Sequence, residues 1–261
     1  MSTTPRKVDL FGVGISVTDY EEAASRIIDA AARRESFAMT ALATHGLTEA
    51  VRDPGLRAAV AGIDLVTPDG QPVRWAMNAL HGTGLRERVY GPALMGHVCE
   101  RAAREGVGLY LFGSTPETCQ RLTEELPRRY PGLRIVAVQP DRFREATPAE
   151  DAEDVERMNA SGAGVVLVGR GCPRQERWVA AHRGKVNASM MAVGAAFDYY
   201  AGNIDQPPAW MQQRGLEWLF RLTQDPKRLW RRYLLHNTLF CWYFTQALLR
   251  RVKGGDTRDA G

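Results

Sequence analysis

Short apolar runs alternate with amphipathic segments over roughly the first four fifths of the chain. Runs of four to six apolar residues are typical of buried strands, and the segments between them place apolar side chains at helical spacing. The predicted strands are residues 8–13, 37–42, 64–67, 108–112, 133–138, 164–168 and 189–193. The predicted helices are residues 20–33, 45–60, 73–80, 93–104, 116–130, 149–158 and 174–183. This alternation predicts an α/β fold with a doubly wound, mostly parallel sheet and helices on both faces.

From about residue 207 the pattern is helical only, which predicts a core over residues 1–206 and a C-terminal helical appendage over residues 207–261. Residues 215–233, GLEWLFRLTQDPKRLWRRY, combine four arginines, a lysine and two tryptophans. Asp225-Pro226 is typical of a new helix, with the aspartate as its cap and the proline at its first position. Cations beside large apolar side chains suit an anionic or apolar partner, although a solvated basic face remains an alternative.

The charge of the chain is concentrated in this appendage. Residues 214–261 hold ten Lys/Arg against four Asp/Glu, so residues 1–213 hold the remaining 24 basic and 26 acidic residues, a net charge of −2. The body therefore needs no nucleic acid or other polyanion as a partner. No apolar run is typical of a signal peptide or a transmembrane helix, and the four cysteines form no CxxC pair. We expect a protein of the reducing cytoplasm.

Ligands of doubly wound sheets bind beyond the carboxyl ends of the strands, so the loops there are candidates for the chemistry. Asp69 follows a strand in a Pro-Asp-Gly turn, where it is either a simple turn residue or a general base. The loops 113–116, 169–176 and 194–198 are either helix starts and tight turns or ligand-binding loops. Their candidate residues are Gly113, Ser114, Gly169, Pro173, Gln175, Glu176, Gly194 and Asp198.

No cofactor or metal is expected from the motifs. Gly12-Val13-Gly14 has Val17 at the third glycine position and no suitably placed acidic residue, so it is not a dinucleotide loop. The five histidines show no ligand spacing, and no Asp-x-Asp follows a strand. His45, just beyond a predicted strand, is the one histidine worth testing.

Seven segments, in this order, resemble the WecG/TagA/CpsF glycosyltransferases, also called glycosyltransferase family 26. They are DPGLRAAVAGIDLVTPDGQPVRWA, RVYGPALM, LFGSTPE, RRYPGLRIV, VGRGCPRQERW, VGAAFDYYAG and GLEWLFRLTQDPKRLWRRY. The resemblance implies inverting, metal-independent transfer of a hexose or N-acetylhexosamine-type sugar, such as ManNAc, ManNAcA or glucose. The donor would be a UDP-sugar and the acceptor a polyprenyl-pyrophosphate-linked saccharide, at the inner face of the cell membrane.

The resemblance also assigns residues. It implies Asp69 as the general base. The residues it implies for substrate binding are Thr40, Arg88, Gln175, Arg221, Arg228 and Arg231. Three departures leave the donor and acceptor sugars open: Leu42 in place of an asparagine, Ala93 in place of an aspartate, and Asp205-Gln206 in place of a basic pair.

The sequence pattern does not decide whether Arg231 or Arg232 faces the site, and the resemblance favours Arg231. The apolar run of residues 234–249, followed by Arg250, Arg251 and Lys253, indicates a peripheral contact with an anionic membrane. A packed helix or a homo-oligomer contact is the alternative. Two other classes also stay open: a nucleotide-binding oxidoreductase, which would share the sheet, and a basic nucleic-acid-binding protein, which would suit the tail.

Overall fold

A six-stranded parallel sheet forms the centre of the protein. The computed structural model describes residues 5–255, apart from the side chains of Ala209, Arg228 and residues 252–255. The strands of the sheet are β3 (Phe37–Leu42), β4 (Leu65–Pro68), β5 (Gly108–Gly113), β6 (Arg134–Gln139), β7 (Val165–Gly169) and β8 (Ser189–Ala192). Their order is β4-β3-β8-β7-β5-β6, and every neighbouring pair is parallel. The predicted α/β fold is confirmed.

The N-terminal segment differs from the prediction of one strand over residues 8–13. It is an antiparallel hairpin of β1 (Lys7–Leu10) and β2 (Val13–Ser16), outside the large sheet. The chain reverses at Phe11 and Gly12, whose φ angles are 62° and 89°. Two successive positive φ angles are typical of the tight turns that join hairpin strands. Phenylalanine rarely adopts a positive φ angle, so the sequence gives no signal for a turn at Phe11.

Helices cover both faces of the sheet. They are α1 (Tyr20–Ala32), α2 (Thr44–Arg52), α3 (Pro54–Ala61), α4 (Gln71–His81), α5 (Gly91–Glu105), α6 (Pro116–Arg129), α7 (Pro148–Ala160), α8 (Arg174–His182) and α9 (Ala196–Tyr200). The single helix predicted over residues 45–60 is two helices. The carboxylate of Asp53 accepts hydrogen bonds from the amides of Gly55 and Leu56, and Pro54 begins the second helix. Proline has no amide proton to continue the first helix, so the chain caps and restarts there.

Strands β4, β5, β7 and β8 read as nearly continuous apolar runs because they bury both of their faces, whereas the edge strand β6 is mostly half-buried or exposed. Tyr110 and Phe112 of β5 belong to one buried cluster, which includes residues of the hairpin, α2, α3, α4 and α8. Leu109 and Leu111 of the same strand belong to a second cluster on the other face, with residues of α1, α5, α6 and α9. Side chains alternate across a strand, so one run of residues serves two cores.

The appendage lies across the body as three helices: α10 (Ala209–Gln213), α11 (Glu217–Gln224) and α12 (Pro226–Gly255). The predicted break at Asp225-Pro226 is confirmed. Helix α12 packs against α2, and its Phe240 is buried in the first core cluster. Within residues 5–255, no helix is both long enough and apolar enough to span a membrane.

Candidate functional site

A cavity of about 620 Å³ opens at the carboxyl ends of β3, β4, β7 and β8. The loops after these four strands form its floor and sides, while α11 and α12 form its roof. The strand order turns back at β3 and β8, which are neighbours in the sheet although distant in sequence. Such a reversal is where doubly wound sheets open a crevice for ligands. The body and the appendage therefore line one cavity together.

Asp69 lies in the wall of this cavity, directly after β4. Its Oδ2 accepts a hydrogen bond of 3.1 Å from the amide of Gly91, which fixes the direction of the carboxylate. Burial raises the pKa of Asp69 from 3.8 to about 6, against the opposing effects of Arg88, the Gly91 amide and Arg221. A carboxylate with such a pKa is largely ionised at neutral pH and is a stronger base than an exposed aspartate.

Arg88 connects the cavity wall to its roof. Its guanidinium forms a two-pronged ion pair with the carboxylate of Glu217 on α11, including a bond of 2.6 Å from Nη1 to Oε2. Nη1 also donates to the main-chain oxygen of Asp69 at 3.3 Å, and the guanidinium lies 4.4 Å from the ring centre of Tyr90. One buried arginine therefore contacts the candidate base, the roof and an aromatic wall.

The arginines of the appendage differ in whether they face the cavity. Arg221 lines the cavity. Arg231 does not: it is exposed and lies over the ring of Trp230, whereas Arg232 lines the cavity. Arg232 shares a face of α12 with His236 and Phe240, at intervals of four residues, and this face meets the body. The geometry therefore favours Arg232 over Arg231 as the arginine that faces the cavity.

The side chain of Arg228 lies outside the described part of the structure, so its predicted role stays a prediction. The Nε of Arg232 is buried and has no hydrogen-bond partner among the described residues. A buried guanidinium donor that faces a cavity is suited to an anionic ligand.

Thr40, Gln175 and Glu176 form a buried polar group beside the cavity. The Thr40 hydroxyl and the Gln175 amide both donate to Oε1 of Glu176, at 3.1 Å and 3.0 Å. Burial raises the pKa of Glu176. The second oxygen of Glu176 and the amide oxygen of Gln175 have no partner among the described residues, and both side chains line the cavity. These two oxygens can accept hydrogen bonds from a ligand.

Gly194 also lines the cavity, with a φ of 51°, and a Cβ atom there would lie 3.1 Å from the amide oxygen of Gln175.

Other predicted binding residues lie outside the lining of this cavity: Gly113, Ser114, Gly169, Pro173 and Asp198. The Ser114 amide already donates to the carbonyl of Gly169 at 2.9 Å. That amide is therefore not available to a phosphate.

Sequence reasoning missed two features of the wall. One is its aromatic lining, to which Trp75, Trp218 and Tyr233 contribute. The other is a cluster of His45, Glu49 and His236, which α2 and α12 bring together. Burial, with the nearby Arg232 and His236, lowers the pKa of His45 to about 3. Only His45 was singled out in the sequence, because nothing in the spacing links position 45 to position 236.

Residues 8–254 of the chain match the profile of the family described as Glycosyl transferase WecG/TagA/CpsF family. The match covers nearly all of the chain, including both the sheet and the appendage. It extends the resemblance of the seven motifs to the N-terminal hairpin and most of α12.

We predict that Asp69→Asn becomes more stable than the native protein as the pH rises. The folded protein holds the Asp69 proton more tightly than the unfolded chain, so native stability falls as the carboxyl ionises between about pH 4 and pH 6. The asparagine cannot ionise, and a shift of about two pKa units corresponds to a relative gain of about 3 kcal/mol. Urea unfolding at several pH values measures the difference. The exposed Asp205→Asn is the control, and a pH-independent difference for Asp69→Asn would contradict the assignment.

Proposed function

Because the chain belongs to the WecG/TagA/CpsF family of glycosyltransferases, we propose that it transfers a sugar from a UDP-sugar to a polyprenyl-pyrophosphate-linked saccharide, with inversion at the anomeric carbon. The family points to the synthesis of cell-surface polysaccharide. The observation that carries the proposal is the placement of Asp69, as a carboxylate of raised pKa, in a cavity that also contains Arg221 and Arg232.

The reaction is a single displacement. Asp69 accepts the proton of an acceptor hydroxyl as that oxygen attacks the anomeric carbon, and the bond from that carbon to the diphosphate breaks. The hydrogen bond from the Gly91 amide holds the carboxylate in one orientation. A well-placed general base accelerates such a step by about 10²–10⁴-fold.

The leaving diphosphate gathers negative charge, and fixed cations stabilise it. We assign this role to Arg221 and Arg232, which line the cavity from the roof. Arg88 is already paired with Glu217 and contacts the main chain of Asp69, so in this arrangement it holds the roof over the base. These arginines supply the charge that a bound metal supplies in other diphosphate sites, which supports a metal-independent transfer.

The polar group beside the cavity fits the uncharged part of the donor. Gln175 and Glu176 offer oxygens without a partner among the described residues, and Thr40 holds Glu176 in place. Sugar hydroxyls and the N–H of uracil are donors that suit such oxygens. We therefore place the donor between this group and the roof arginines.

The outer face of the appendage fits a lipid surface, where a polyprenyl-linked acceptor lies. Trp230, Leu234, Trp242 and Leu249 are exposed and recur every four to eight residues along α12. That spacing places them on one face of the helix, away from the buried Phe240. Exposed Arg231 and Arg250 flank this stripe, whereas Arg251 donates a hydrogen bond to the main-chain oxygen of Ala79 on the body. Apolar side chains flanked by cations favour an anionic interface, so we propose a peripheral position on the cytoplasmic face of the membrane.

The test of the activity is UDP release across a panel of UDP-sugars with a polyprenyl-pyrophosphate-linked sugar acceptor. We expect Asp69→Asn to lower kcat by about 10²–10⁴-fold while binding of UDP persists. The native rate should rise as the pH passes through about 6 and then level off, because the base acts when ionised.

Asp29→Asn, at an exposed position of α1 outside the cavity lining, serves as the control for this test. Unchanged turnover in Asp69→Asn would rule Asp69 out as the base. Binding of NAD would instead favour an oxidoreductase, and salt-sensitive binding of DNA or RNA that survives Asp69→Asn would favour a nucleic-acid-binding protein.

The membrane contact is tested by sedimentation with vesicles that contain anionic lipid. We expect the native protein to pellet with them, and the double variant Leu234→Glu, Trp242→Glu to lose most of this binding. Phe143→Glu is the matched control, since Phe143 is exposed on the body. If both variants bind equally, the stripe is not the membrane contact. Loss of a dimer in the double variant, without any vesicle binding by the native protein, would identify the stripe as an oligomer interface.

A further inference from the structure

Two imidazoles and a carboxylate converge between α2 and α12. His45 and Glu49 are one turn apart on α2, and His236 faces them from α12. One ligand atom of each residue lies within 4.8 Å of the others. The rings of His45 and His236 meet edge to face, with their centres 4.4 Å apart.

The hydrogen bonds of His236 decide which ring nitrogen faces Glu49. Nδ1 lies 2.6 Å from the hydroxyl oxygen of Thr48, and Nε2 lies 3.3 Å from Oε1 of Glu49. The Thr48 hydroxyl has a single proton to donate. Its oxygen lies 2.9 Å from the main-chain oxygen of Thr44 and 3.1 Å from that of His45. When the Thr48 hydroxyl donates this proton to a main-chain oxygen, Nδ1 of His236 must carry a proton and donate it to the Thr48 oxygen. The lone pair of Nε2 in a neutral ring then points at a carboxylate oxygen, an arrangement that a cation between the two atoms stabilises.

The separation of these two atoms fits a metal site. Ligands about 2.0–2.1 Å from a tetrahedral zinc ion lie about 3.3 Å from each other. The Nε2–Oε1 distance of 3.3 Å equals that separation. A ring nitrogen of His45 is the third ligand atom, within 4.8 Å of those of Glu49 and His236, so a small closure of the three side chains would complete the set.

We propose that His45, Glu49 and His236 bind a divalent transition metal of the zinc type, which fastens α12 to α2. Two imidazoles and one carboxylate form a donor set that zinc accepts, and it leaves a fourth position for water or a ligand. Magnesium and calcium prefer sets made only of oxygen. His45 and His236 also line the cavity, so the ion would fix the roof next to Arg232.

The surroundings limit the strength of this site. Arg52 lies 3.9 Å from Oε1 of Glu49, and the ion would have to compete with that pair. Arg232 is a second nearby cation. We therefore expect a weaker site than a closed four-ligand structural centre, and one that strengthens the docking of α12 without being needed for the fold.

The test is a titration of the untagged full-length protein with Co²⁺ alone, followed by displacement with Zn²⁺. Cobalt in a site of nitrogen and oxygen ligands gives visible absorption bands, and zinc removes them. We expect one ion per chain in the native protein, and a rise in Tm on adding Zn²⁺. His45→Ala and Glu49→Gln should each weaken binding by at least about tenfold, since even residues that only orient ligands cost about 10–100-fold.

His97→Ala is the matched control, because His97 is a partly exposed histidine near Glu21, on another part of the surface. It should bind Co²⁺ like the native protein. Absence of saturable absorption, or equal absorption in all the variants, would overturn the proposal and leave His236 as a hydrogen-bonded link between Thr48 and Glu49. A sulfur-to-cobalt band would overturn it in favour of the nearby Cys172. The readout is binding, so its outcome is independent of the proposed sugar transfer.

Discussion

The buried ion pair between Arg88 and Glu217 is the interaction on which the site depends. The body alone supplies Asp69 at the edge of an open sheet, and the appendage alone supplies arginines on a surface helix. The pair joins them where both partners are largely buried. Loss of one partner of a buried pair leaves an unpaired charge, at a cost of about 3–5 kcal/mol. The position of the roof is therefore specified by charge as well as by the packing of Phe240.

The same enclosure accounts for the chemistry of Asp69. Burial and, to a smaller degree, the carboxylate of Glu217 oppose ionisation, while Arg88, the Gly91 amide and Arg221 favour it, and burial has the largest effect. A fully exposed aspartate would be a weaker base, and without the nearby cations burial would raise the pKa of Asp69 further. The roof thus removes water from Asp69 and brings the positive charge of Arg221, while its Glu217 is paired with Arg88.

The features that follow from local patterns could be predicted from the sequence. The parallel sheet followed from apolar runs, and the start of α12 followed from Asp225-Pro226. The hairpin at Phe11 and Gly12 could not, because phenylalanine is an unusual residue for a positive φ. The place of Arg232 depends on which face of α12 meets α2, and the pairing of His45 with His236 depends on the same contact. Contacts between segments that are distant in sequence produce no local sequence pattern. The residues that line the cavity could therefore be predicted only in part.

The most direct test of a site shared by body and appendage compares two adjacent arginines. The affinity for UDP is measured by calorimetry for the native protein, Arg232→Ala and Arg231→Ala. Arg232 lines the cavity and Arg231 faces outward, so only Arg232→Ala should weaken binding. The expected loss is about tenfold or more, since a hydrogen bond to a charged group contributes about 1.5–3 kcal/mol. Weaker binding in Arg231→Ala, with native affinity in Arg232→Ala, would contradict the arrangement of the roof.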